Sequence, residues 1–181
     1  MFGLCHGSLT YSITELNFME FYTGQTGSDR RLQAIDFGTL DTAAYASGDI
    51  LTSGAIAVDA ARFLGFSGTV DRILLKETSS GTLQKPALRL WLFGSAITPA
   101  ARNAAQAFTS AQFDVLVGYV DIAEADWIDG ASGVCTAQKE VDLNYALQST
   151  SKTLYIVPEC KSADTFASGA AIKGQVLLRR D

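Results

Sequence analysis

Three kinds of side chain in this sequence have the chemistry for a reaction or a bound ion: one imidazole, three thiols and a short run of carboxylates. The imidazole is His6, beside Cys5. Adjacent side chains diverge, and the further ligands of a zinc site do not follow at zinc-binding spacing. A Ser–His or Cys–His catalytic pair would have to recruit this same residue. A terminal segment is a poor mount for a base that must be held within a fraction of an ångström. The carboxylates are Asp121, Glu124, Asp126 and Asp129 in DIAEADWIDG, residues 121–130. They lack the regular order of acids in an EF-hand loop. A calcium ion held in a loop of another kind, or a glycosidase-type acid pair, stays open beside the plainer expectation: a solvated loop with Trp127 tucked beneath it. Neither a nucleophile elbow nor a glycine-rich phosphate loop occurs. The expectation is a non-enzymatic protein with no catalytic residue, no metal and no cofactor.

Binding chemistry is more visible than reaction chemistry. The stretch PALRLWLFG, residues 86–94, has the alternation of a strand. Leu88, Leu90 and Leu92 fall on one face, and Arg89, Trp91 and Phe93 on the other. A strand with one wet face would not carry Trp and Phe on the wet side. Either the chain's own loops cover that second face or another subunit does. Aromatic residues and Arg are enriched at the centres of protein interfaces, which makes Arg89, Trp91 and Phe93 interface candidates. Phe18, Phe21 and Tyr22 form a second aromatic group and are interface candidates too, followed by the polar, glycine-containing stretch 23–31.

The elements that must position these residues are strands. Period-two patterning marks segments 32–38, 48–57, 68–77, 86–94, 113–121, 139–148, 152–158 and 171–179, separated by Gly, Ser, Asp and Thr. Val141, Leu143, Tyr145 and Leu147 alternate with polar residues, as do Ile172, Gly174, Val176 and Leu178 with theirs. This is how antiparallel sheets with one core face read. Helical signals are sparse. Pro99 and the alanines of PAARNAAQAF, residues 99–108, suggest a short helix or turn there. The expected fold is all-β: an antiparallel β-sandwich, jelly-roll-like, of about eight strands. Residues 1–31 are an N-terminal arm or an extra edge segment, and 32–181 the sandwich domain.

Composition narrows the partners. Charged residues make up 18% of 181, below the roughly 25% usual for soluble domains. Their place is taken by 15 Ser, 16 Thr and 16 Gly. A chain short of charge suggests surface covered by partners. The net charge is −5 and no basic run exceeds a pair, which argues against nucleic acid as a ligand. No stretch of about 18 apolar residues marks a membrane span. The odd, widely spaced Cys5, Cys135 and Cys160 read as free thiols in a reducing compartment.

At YASGDIL (45–51), SGTVDRILLKE (67–77), QKPALRLWLFGSAIT (84–98), NAAQAF (103–108) and LYIVPEC (154–160), the chain resembles tailed-phage virion proteins of the capsid decoration, or cement, kind. The likeness runs over about residues 40–181 and leaves the N-terminal segment outside it. The resemblance implies a β-sandwich homotrimer on the outer surface of a phage head. Its partner would be the major capsid protein, and it would assemble in the host bacterial cytoplasm. The alternative is a head-fibre or tail-associated attachment protein that binds a host glycan. A hydrolase using the 121–130 carboxylates is a third, with no substrate to name.

Overall fold

The computed structural model describes residues 29–130 and 133–180. Nine strands form two antiparallel sheets. They are β1 (Asp29–Thr39), β2 (Ile56–Asp59), β3 (Ser67–Thr78), β4 (Leu88–Phe93), β5 (Leu116–Ile122), β6 (Trp127–Asp129), β7 (Val134–Ala146), β8 (Thr153–Cys160) and β9 (Ala171–Arg180). One sheet runs β1-β9-β3-β7-β6 and the other β2-β8-β4-β5. With the three-residue β6 set aside as an addition to the edge of β7, the two orders are those of a jelly roll. Consecutive strands switch sheets except between β4 and β5, and early strands pair with late ones. The all-β sandwich expected from periodicity is therefore the fold.

The apolar faces meet between the sheets. Ile73, Leu75, Ile172, Val176 and Leu178 come from the first sheet, and Leu88, Leu90, Leu92, Leu154 and Ile156 from the second. All ten are fully buried. Each such side chain contributes roughly 1.5–3 kcal/mol by leaving water. One buried carboxylate is matched by backbone donors. Glu77 is fully buried, and its two carboxylate oxygens accept the backbone N–H groups of Gln84 and Lys85, each at 2.9 Å. That clamp ties the β3–β4 connection back onto β3.

Several boundaries differ from those the pattern suggests. Of 48–57, only Ile56 and Ala57 lie in a strand. Residues 48–52 cross the end of the second sheet as a linked loop: Asn103 donates to the Ile50 carbonyl (2.8 Å), and Ile50 donates to that of Ala104 (3.1 Å). The same bonds explain why 99–108 is not helical. Its backbone bonds to residues 48–50 instead of to itself, and Asn103 adopts φ +55°. The four-residue helix, α1, comes just afterwards at Ser110–Phe113. Strand β6 went unseen because three residues carry no period. β1 takes in residues 29–31, which the expected boundary gave to the N-terminal segment. That boundary otherwise lies outside the described residues.

The packing leaves no slack where β9 crosses β3. A Cβ on Gly174 would lie 2.1 Å from the Leu74 carbonyl oxygen and 2.9 Å from Leu75 Cδ2. Gly174→Ala should lower stability by about 1–3 kcal/mol through overpacking, read as a lower urea midpoint with an unchanged slope.

Candidate functional site

The outer face of the four-stranded sheet carries the most distinctive surface. Strand register builds it. β4 lies between β5 and β8, so Arg89 stands opposite Asp121 on one side and Glu159 on the other. Trp91 stands between Tyr119 and Val157, and Phe93 between Leu116 and Tyr155. Directly opposed side chains on one sheet face touch, and these do. The Arg89 guanidinium lies 4.1 Å from the Tyr119 ring centroid and 5.2 Å from that of Trp91, within cation–π range. It also forms a two-pronged pair with Asp121, Nε to Oδ1 at 2.7 Å and Nη2 to Oδ2 at 2.8 Å. Trp91 Nε1 donates to Glu159 Oε2 at 2.5 Å, and Lys161 Nζ sits 3.3 Å from the other Glu159 oxygen.

The connection between β4 and β5 folds back over the aromatic half of this face. Phe108 packs against both Trp91 and Phe93, at 5.2 Å in each case, and Phe113 meets Trp91 edge-on at 6.5 Å. Phe113 is placed by α1. There Thr109 and Gln112 make reciprocal capping bonds, and Gln112 Nε2 donates to the Thr98 carbonyl at 2.9 Å.

This resolves what covers Trp91 and Phe93. Phe93 is 0% exposed, enclosed with Ile50 and Val157 in a small second core under residues 97–116. As an interface residue it is corrected: the chain's own loop takes that position. Trp91 is half-buried, with Arg89 beside it. What remains open to solvent is a rim that the sequence reading did not name, with Phe113 49% and Tyr119 51% exposed. The signal for Tyr119 was present in the alternation of GYVDI, where Val120 and Ile122 point inward and Tyr119 and Asp121 outward. The pairing that sets Tyr119 against Trp91 has no local signature. The other interface candidates, Phe18, Phe21 and Tyr22, lie outside the described residues, as do Cys5 and His6.

The acidic stretch 121–130 divides among separate cations. Asp121 binds Arg89 (2.7 Å), Asp126 binds Lys139 (3.0 Å) and Asp129 binds Lys85 (2.8 Å). Asp126 also accepts the Ala123 N–H at 2.9 Å. Trp127 is buried, its Nε1 donating to the Pro86 carbonyl at 2.9 Å. Among the described residues, no three His, Cys, Asp or Glu side chains are grouped so as to hold a metal ion. The two described thiols are interior. Burial pushes Cys135 and Cys160 up to about 12, and the neighbouring carboxylates of Glu77 and Asp164 add to the effect.

No family model matches the chain, and no curated protein does. Among solved structures, it is similar to the catalytic domain of GH87 alpha-1,3-glucanase. In complex with tetrasaccharides that match has 10% identity and a TM-score of 0.27, and covers 86% of this chain and 29% of that one. In complex with nigerose the identity is 10% and the TM-score 0.26, with the same coverage. The infectious bursal disease virus VP2 subviral particle matches at 12% identity and a TM-score of 0.20, over 84% of this chain and 42% of that one. The chain thus spans less than half the length of each, and likenesses at this level carry no functional argument.

Two measurements check the electrostatics. The hydrogen bond from Arg89 holds the Asp121 carboxyl below its ordinary 3.8. A carboxylate with a lowered folded pKa stabilises the fold above the unfolded value and stops doing so as pH falls through the folded one. An NMR titration should therefore place Asp121 below 3.8 and move its midpoint upward in Arg89→Met. The pair is half exposed, so the accompanying stability change stays within about 1 kcal/mol. Separately, peptide mapping after iodoacetamide at pH 8 should find Cys135 and Cys160 unmodified in the folded protein and modified in urea.

Proposed function

We propose that this protein is a structural virion subunit of the capsid decoration kind. It binds the outer surface of a phage head, as a homotrimer, through the patch formed by Arg89, Trp91, Phe113 and Tyr119. The observation that carries the reading is this half-exposed group of three aromatic rings with an arginine laid against two of them. Trp, Tyr and Arg supply most of the energy at protein interfaces. Here their conformations are already set by intrachain contacts, so little side-chain freedom is left to lose on binding. The resemblance of residues 40–181 to phage decoration proteins supplies the partner, the major capsid protein. The jelly roll hosts many functions and by itself selects none.

The geometry favours a protein partner over the glycan of an attachment protein. A sugar ring stacks on an open aromatic face. On this surface Arg89 lies over Tyr119, and Phe113 and Phe108 stand edge-on to Trp91. The role would be mechanical. A subunit that binds only the assembled, expanded lattice stabilises that lattice by mass action. Three linked contacts raise the effective concentration of each, and a trimer suits a local three-fold position.

Co-sedimentation with purified heads tests the reading. The wild-type chain should elute as a trimer by light scattering and pellet with heads. Phe113→Ser combined with Tyr119→Ser should keep its circular dichroism and melt but bind at least about tenfold more weakly, the scale of losing interface anchors. A monomer that stays in the supernatant overturns the proposal. Hits on a glycan array without head binding select the attachment reading instead.

A further inference from the structure

β5 ends its sheet with an open backbone edge. Pro158 of β8 stands opposite Leu90, and its carbonyl accepts the Leu51 N–H at 3.0 Å, away from β4. Residues along an antiparallel strand turn their backbone groups alternately to one side and the other. Leu90 therefore turns its N–H and C=O toward β5, where it meets Val120. By the same alternation Gly118, Val120 and Ile122 bond to β4, while Tyr119 and Asp121 turn theirs outward. Among the described residues no strand lies beyond β5, so these two N–H and two C=O groups have no ladder partner. The chain closes the edge on either side of them. The Ala123 N–H is taken by Asp126 Oδ2 at 2.9 Å, and the register slips between Leu116 and Gly118.

The other edges are guarded. β2 has four residues and β6 three. β1 opens on Asp29, Arg30 and Arg31, and Arg102 donates to its Phe37 and Thr39 carbonyls. β5 has seven residues and no Lys, Arg or Pro, the groups that keep an edge from pairing. The slot beside it has two different walls. On the inner side Leu143 of β7 reaches it, since a Cβ on Gly118 would lie 3.1 Å from Leu143 Cδ1. Leu143 and Val117 there are only partly buried. On the outer side stand Tyr119 and Asp121, both exposed. A row of outward N–H and C=O groups is matched by another extended backbone. We propose that β5 is a strand-addition site, where an extended segment of a partner protein pairs with Tyr119 and Asp121 and lengthens the four-stranded sheet. Its inward side chains are apolar, against Leu143 and Val117. Outward it sets a basic residue beside Asp121 and an aromatic or β-branched one beside Tyr119. The edge adjoins the patch of Arg89, Trp91, Phe113 and Tyr119. That the partner is the capsid protein rests on the virion reading, and the strand addition does not.

Amide hydrogen exchange of the full chain, read by NMR, tests this. In the free protein the Tyr119 and Asp121 amides should exchange at least about tenfold faster than those of Val120 and Ile122. A short capped peptide alternating Val with Lys and Tyr should slow both at least about tenfold. The same peptide, N-methylated at its two bonding amides, should bind at least about tenfold more weakly, the scale of losing two hydrogen bonds. Unchanged exchange at millimolar peptide, or equal binding by the methylated form, overturns the proposal. So do Tyr119 and Asp121 amides that are already slow in the free protein, because the edge is then occupied without a partner. Purified heads in place of the peptide, with exchange read by mass spectrometry, separate the two readings. Slowing of the β5 amides by heads supports strand addition and assigns the segment to the capsid. Peptide binding without head binding supports strand addition and removes the capsid as its partner.

Discussion

Strand β4 carries large apolar side chains on both faces, and much of the molecule is arranged around that fact. Its Leu88, Leu90 and Leu92 face is buried against the opposite sheet. Its other face carries Trp91 and Phe93, which would expose a large apolar area if the second sheet ended the molecule there. A strand buried on both faces needs a third layer. The chain makes one from the β4–β5 connection, where Phe108 lies over both aromatic residues. That cover then dictates local detail elsewhere. Residues 48–50 bond to 103–106 to hold the layer in place, and the capped turn at Ser110–Phe113 ends it.

The third layer is incomplete, and the incompleteness defines the candidate site. It encloses Phe93, reaches Trp91 only partly, and stops short of Arg89. At that end the sheet changes from apolar to charged within two residues, passing from edge-on and tilted rings to Arg89 held between Asp121 and Glu159. Such a gradient, dry at one end and ion-paired at the other, gives a surface both an anchor and an orientation.

What could be read from the sequence follows from how far each signal reaches. Period-two alternation is local, so most of the strands were legible, as was the inward Leu triad of PALRLWLFG. Pairing is non-local. Nothing near Trp91 announces that Tyr119 lies opposite it or that Phe108 and Phe113 fold over it. The exposed rim of the site was therefore missed while its half-buried floor was found. The helix or turn expected at 99–108 is a turn for a related reason: alanine-rich propensity is worth a few tenths of a kcal/mol per residue, and hydrogen bonds to residues 48–50 outweigh it. The acidic run 121–130 looked like one group because it is contiguous in sequence. In space, Arg89, Lys139 and Lys85 draw its members to three separate places.

The sheet order also sets a timetable. In the five-stranded sheet, β9 is inserted between β1 and β3, pairing Asp29 with Arg180 and Gly68 with that same arginine. Until β9 exists, β1 has no neighbour in its sheet and β3 has one edge bare. A ribosome makes the chain from the N-terminus, so β1 to β8 have all been synthesised before the strand that joins β1 to β3 arrives. Closure of this sheet as the chain emerges is thereby postponed until β9 has been made. The long-range pairing then gives the slow, late closure of a high-contact-order fold, with open strand edges waiting in the meantime.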